Sequence, residues 1–333
     1  MGLFFNKKQN SEYEKIILDV RNNLTDDKEE NIKYIKKMCE KYKNHEMANE
    51  IIKELGRMIF ENTSKEKQKE LNELLTKDVI SHFEKGEDYM RKGNLKNAKI
   101  ELEQFVKTSE IFKEDRINIP YSPRNPIEFI LCCNIDQNKK VRDMGIDYST
   151  GYLRLGSIAI EENNIDKAIE YLKKSIKLNP YNGTSHFELI DALKRKGNLK
   201  LIKQEIDESY KFIYLPNDLS RYYRDLGYYY IEKGDFRLAK HLYIYSIQFD
   251  NAKKDYVINE LQYIFSRTGD DKVLSVEESY KYLENENIPV FFDKDNVGII
   301  LSLYKKVKED KQENSPVGQL IGNIAEFYLK YIS

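Results

Sequence analysis

Apolar residues recur at helical spacing along most of this chain, and each stripe predicts one packed helix face. Tyr13, Ile16, Ile17, Val20 and Leu24 make the first stripe. Ile32, Ile35, Met38 and Cys39 make the second, on a helix that opens near Asp26 or Asp27, whose carboxylates suit a positive helix N-terminus. A third helix runs from about His45 through Ile51, Ile52, Leu55, Met58 and Ile59, and Thr63 or Ser64 caps a further one. Residues 1–78 therefore read as an N-terminal helical cap without internal repetition.

Beyond residue 78 a spacing repeats. A Gly is followed twelve places later by an Ala at Gly86/Ala98, Gly156/Ala168 and Gly227/Ala239. Two antiparallel helices approach closely only where side chains are small, and a mid-helix Gly costs about 0.5–1 kcal/mol relative to Ala, so its return in register implies a geometric need. Large residues (Tyr152, Leu155, Tyr223, Leu226 and Tyr243) fill the space on either side, and Ser175, Ser209 and Ser246 fall where one hairpin meets the next helix. The pattern delimits a first repeat at 79–112 and three more across 149–253, the middle one degenerate because Ile190 and Ile202 replace the small residues. Between them, residues 113–148 carry Pro120, Pro123 and Pro126, which cannot sit inside a regular helix pair. That stretch reads as a connector with a degenerate half-repeat, holding one short helix over Pro126 to Cys133. In the C-terminal helical region, 254–333, Lys254 to Arg267 and Val276 to Asn285 look like another helix pair, the second opened by the capping box Ser275-x-x-Glu278. Two closing amphipathic helices follow, the last presenting Leu320, Ile321, Ile324, Phe327, Tyr328 and Tyr331, a face suited to capping the array or to self-association.

Composition narrows the function more by exclusion than by assertion. Lys plus Arg is 55 against 56 for Asp plus Glu, without the basic excess a nucleic-acid binder uses to neutralise phosphates. Three cysteines, two of them adjacent at Cys132 and Cys133, fit a reducing compartment and hence the cytoplasm, and both neighbours read as buried small hydrophobes. The start Met1-Gly2-Leu3-Phe4-Phe5 is too short an apolar run for a secretion signal, although Leu3, Phe4 and Phe5 ahead of two lysines could touch a membrane surface. No phosphate-binding glycine loop, H-E-x-x-H, C-x-x-C or G-x-S-x-G occurs, so no catalytic, cofactor or metal residue is assigned. His82 and His186 take the aromatic place of their repeats and are expected in the core rather than on a metal.

Tyr223-x2-Leu226-Gly227-x2-Tyr230 with Ala239-x3-Tyr243, and Tyr152, Leu155, Gly156, Ala159, Ala168, Leu172 and Pro180 in the cleaner copy, resemble the tetratricopeptide repeat family. The run Tyr222 to Tyr230 is similar to bacterial proteins of that kind. The resemblance implies an all-α fold, an α-solenoid of helical hairpins with N- and C-terminal helical caps, whose first helices line a concave groove for a protein or peptide. Carried over place by place, it puts Phe83, Glu87, Met90, Leu153, Ser157, Ile160, Phe187, Asp191, Lys194, Arg221, Arg224 and Tyr228 on that groove. The positions at which some members clamp a C-terminal carboxylate hold Leu153, Ser157, Phe187 and Asp191 here, so that clamp is absent. The partner-binding residues are then Phe187, Asp191, Lys194, Arg221, Arg224 and Tyr228, with Arg221, Arg224 and Tyr228 contacting a peptide or partner helix. A non-catalytic interaction scaffold follows, with a peptide-sensing regulator or an enzyme with an unrecognised site as alternatives, and neither nucleic acid nor membrane as partner.

Overall fold

The computed structural model describes residues 7–272 and 274–332, and the Leu3-Phe4-Phe5 run lies outside them. Among the described residues the chain is all-α apart from one pair of four-residue strands, and it divides into two compact units, up to Val79 and from Ile80 onward.

In the first unit, α1 (Lys7–Asn22), α2 (Lys28–Tyr42) and α3 (Ala48–Glu61) enclose a core of Ile17, Val20, Ile35, Met38, Ile51, Leu55 and Met58. These are the residues of the three apolar stripes. Asp27 is the N-cap of α2, accepting from the backbone N–H of Glu29 and Glu30. The buried amide of Asn31 is satisfied by the Thr25 backbone on both sides and by Asn62 at 2.9 Å. Helix α4 (Lys65–Arg91) is continuous across residues 78 and 79, so no break in the chain marks the start of the first repeat.

The second unit is a solenoid of stacked hairpins. They are the end of α4 with α5 (Leu95–Lys107), α7 (Tyr148–Glu161) with α8 (Ile165–Leu178), α9 (Gly183–Lys196) with α10 (Leu199–Tyr210), and α11 (Pro216–Glu232) with α12 (Phe236–Ser246); the pair expected next, α13 (Lys254–Thr268) and α14 (Val276–Asn285), does not close on itself, and both helices pack chiefly on α12. The glycines sit where the geometry needs them. A Cβ on Gly86 would lie 2.7 Å from Leu102 Cγ, one on Gly156 2.7 Å from Leu172 Cγ, and one on Gly227 2.8 Å from the Tyr243 ring. In each case the obstructing residue is sixteen places on, and Ala98, Ala168 and Ala239 are fully buried beside it. The hairpin turns share one construction as well. A left-handed residue (Gly93, Asn163, Gly197 or Gly234) reverses the chain. An Asx residue after it (Asn94, Asn164, Asn198 or Asp235) then caps the second helix by accepting from the N–H three places on.

The connector leaves this stack and returns to it. Strands β1 (Asn118–Tyr121) and β2 (Lys140–Asp143) pair in parallel, with α6 (Pro126–Cys133) between them. Strand pairing was not expected from the sequence. Each strand is four residues long, too short to announce itself by alternation. Helix α5 nevertheless packs straight onto α7, with a Cβ on Gly151 falling 2.5 Å from the Phe105 ring, so the inserted segment does not interrupt the solenoid. Cys132 is buried, where burial pushes its thiol up, but Cys133 is exposed, correcting the expectation for that residue: the buried stripe of α6 runs through Ile127, Glu128, Leu131 and Cys132, and the next position turns about 100° away from it.

Helices α15 (Lys294–Glu309) and α16 (Pro316–Ile332) fold back along the loops that join successive hairpins. Asn296 donates to the carbonyls of Lys211 and Ile213 and accepts from the Tyr181 hydroxyl. Tyr328 donates to the Tyr214 carbonyl at 2.7 Å, and Tyr223 and Tyr245 donate to the carbonyls of Pro289 and Val290 just ahead of α15. Ile321, Ile324 and Tyr328 are buried, so much of the apolar face of α16 is covered by its own chain.

Gly156→Ala and Gly227→Ala are expected to destabilise the protein by about 1–3 kcal/mol, because overpacking a buried contact outweighs the better helix propensity of Ala. Chemical denaturation measures this, and an unchanged or raised midpoint would refute the close-approach argument.

Candidate functional site

Helices α7, α9 and α11 are the first helices of three successive hairpins and pack side by side. A three-residue step along α9 and a four-residue step along α11 bring four charged side chains together on their common face.

Asp225 on α11 is the centre. It is almost wholly buried, and its two carboxylate oxygens accept from Lys194 Nζ at 2.6 Å and Arg221 Nε at 3.0 Å. Asp191 on α9 completes a rectangle, accepting from Lys194 at 3.0 Å and from Arg221 Nη2 at 2.7 Å. Each cation thus bridges two helices. The flanking carboxylates hold the Lys194 ammonium above its usual range against the opposing effect of burial. Two aromatic faces border the rectangle: Lys194 Nζ lies 4.7 Å from the centre of the Tyr228 ring, and the Arg221 guanidinium 5.9 Å from that of Phe187.

Five of the six residues singled out from the sequence, Phe187, Asp191, Lys194, Arg221 and Tyr228, are therefore neighbours. Phe187 is only 8 % exposed, so its ring belongs as much to the core as to the surface. Arg224 stands apart: it is 6 % exposed, donates to Ser220 Oγ at 2.5 Å, and has Asp250 as its nearest carboxylate at 3.9 Å. Burial and the neighbouring Arg221 charge hold its guanidinium below the usual range. Of the remaining positions carried over, Leu153 and Ile160 are buried, Phe83 packs on Phe105, and Glu87 pairs with Arg154 at 2.7 Å. Sequence reasoning missed Asp225. Its signal was available, since it lies four places after Arg221, the spacing of a same-face ion pair.

Of the two histidines expected in the core, His186 is buried and His82 is partly buried, and each is anchored by a carboxylate. His82 Nδ1 meets Glu101 at 2.6 Å and His186 Nδ1 meets Glu205 at 2.6 Å, nineteen places apart in both repeats, while His186 Nε2 also donates to the Pro180 carbonyl. Among the described residues no group of His, Cys, Asp and Glu side chains is placed to hold a metal ion.

A second polar knot fixes α6 to the array. Glu128 is fully buried and accepts from Arg124, Asn179 Nδ2 at 2.6 Å and the Tyr214 hydroxyl at 3.0 Å. Nearby, at the start of α11, burial pushes the Asp218 carboxyl up to about 6, partly opposed by Arg124.

Two outcomes follow from these groups. Asp225→Ala leaves Lys194 and Arg221 without their shared buried partner and is expected to cost about 2–3 kcal/mol, the buried-pair penalty reduced because both cations keep some solvent. An unchanged denaturation midpoint would remove Asp225 from the centre of the array. For Asp218 the folded-state value lies above the ordinary 3.8, so the folded chain retains a proton that the unfolded chain loses. Its contribution to stability is therefore greatest at acid pH and is lost as pH rises to about 6. Asp218→Asn should raise the denaturation midpoint relative to the parent at pH 7 and much less at pH 4; an equal difference at both would contradict the assignment.

Residues 149–182, the α7–α8 hairpin and the loop after it, match the family described as tetratricopeptide repeat. No curated protein matches the chain. A solved structure described as a circular tandem repeat protein with novel repeat topology and enhanced subunit contact surfaces is 16 % identical, with 94 % of this chain and 62 % of that one covered and a TM-score of 0.23, a likeness too slight to carry an argument. This chain spans less than two thirds of that structure's length. Repeats of this type generally mediate protein–protein interaction. No helix among the described residues is long and apolar enough to cross a membrane. The family match on residues 149–182 thus identifies one tetratricopeptide repeat, and the same glycine and alanine packing recurs in the hairpins at 86/98 and 227/239.

Proposed function

We propose that this protein is a non-catalytic interaction scaffold that binds a peptide or partner helix along the face formed by α7, α9 and α11. The observation that carries the proposal is the Asp191–Lys194–Arg221–Asp225 rectangle set between the Phe187 and Tyr228 rings. Such a surface supplies both signs of charge in fixed positions beside flat apolar rings, which suits the mixed polarity of a polypeptide. The charged groups are already paired with one another, an arrangement that supports recognition over nucleophilic chemistry.

Further groups extend the face. Tyr256 on α13 is 48 % exposed and close enough to Lys194 and Arg221 to feel their charge, so the aromatic surface continues beyond Tyr228. The near-equal totals of basic and acidic residues, 55 and 56, favour a protein partner over nucleic acid. The three free cysteines accord with a cytoplasmic setting, where thiols stay reduced.

A benzophenone-bearing amino acid placed at Tyr228 tests the surface. Irradiated in extract from the native cell, it should give a discrete protein adduct, while the same group at the exposed Lys173 of α8 should give none. Equal labelling from both positions, or none from Tyr228, would overturn the proposal.

A further inference from the structure

On another face of the solenoid, where the connector passes over α8, lies a cavity of about 860 Å³, within the size range of small-molecule sites. Its apolar lining comes from Phe112, Ile119, Pro120, Tyr152 and Leu178. Two aromatic rings contribute to it, and the Arg142 guanidinium lies 5.1 Å from the centre of one of them, Phe112.

The polar lining has an imbalance of sign. Lys113, Arg116, Lys139, Lys174 and Lys177 face three carboxylates, Glu110, Glu114 and Asp115. Two of those carboxylates are already committed. Glu114 pairs with Lys139, which holds its carboxyl below the usual range. Asp115 accepts from the backbone N–H groups of Ile117 and Asn118, both at 2.7 Å, and so shapes the loop ahead of β1. Lys174 reaches back to Glu170 at 3.0 Å. Lys177 has only a 4.0 Å approach to Glu114, and Lys113 and Arg116 make no ion pair among the described residues. Three cations at one mouth thus lack a close partner, above a floor of rings and aliphatic carbons.

We infer that this cavity binds a small organic anion with a flat apolar body and two negative charges, such as an aryl phosphate. The body would lie against Phe112 and Tyr152, while the charges meet Lys113, Arg116 and Lys177. The inference is independent of the interaction face formed by α7, α9 and α11, since it uses a different surface.

Titration calorimetry at low salt with 1-naphthyl phosphate tests it, with inorganic phosphate and 1-naphthol as the charge-only and ring-only probes. Saturable binding of one molecule per chain is expected for 1-naphthyl phosphate, and at least tenfold weaker binding for either control. The triple variant Lys113→Ser, Arg116→Ser, Lys177→Ser alters only exposed side chains and should keep the parent melting temperature while losing at least tenfold in affinity. Absence of saturable heat, equal affinity for inorganic phosphate, or a folded triple variant that binds as the parent does would each overturn the inference.

Discussion

Everything in the solenoid depends on how closely two antiparallel helices can approach at one point. At Gly86, Gly156 and Gly227 there is no room for a Cβ, because the side chain sixteen residues later occupies that space. Removing one carbon from each first helix lets a Leu or Tyr of the second reach its backbone. The dense packing that results is sensitive to a single methyl group, as protein interiors generally are. The rest follows from that contact: the turn must be short, so it uses a left-handed residue and an Asx cap, and the first helices of neighbouring hairpins are brought into register.

Register in turn creates the charge rectangle. Asp191 and Lys194 come from one hairpin, Arg221 and Asp225 from the next, and none of the cross-helix bonds could form if α9 and α11 slid past one another by a turn. Burying Asp225 has an energetic cost that only its two cations offset. What the arrangement supplies is order. The flanking rings are held by cations that are themselves held by carboxylates, so a partner meeting this face would lose less freedom in fixing it.

Most of the architecture was legible in the chain because packing that repeats leaves repeated letters. The Gly and Ala places, the turn glycines, the capping box at Ser275 and Glu278, and the short helix after Pro126 all lie where local chemistry put them. Less legible was whatever joins distant stretches. Residues 118–121 and 140–143 pair as strands only because the connector brings them together, and Asn296 finds its carbonyls more than eighty residues away. On the shared face of α9 and α11, residue types pointed to Phe187, Asp191, Lys194, Arg221 and Tyr228, whereas Asp225 was passed over and Arg224 proved to be turned into the protein. Spacing identifies the side of a helix, but how far an individual side chain is covered depends on its neighbours in three dimensions.

The returning C-terminal helices have a consequence for how the molecule comes apart. An ordinary linear array can melt one unit at a time, because each unit touches only the next. Here Tyr181, Tyr214, Tyr223 and Tyr245, drawn from three successive units, are all tied to the stretch between Pro289 and Tyr328. That stretch acts like a splint laid across several vertebrae. Fraying of any of these three hairpins must break bonds made to that one stretch, which couples them into a single cooperative block.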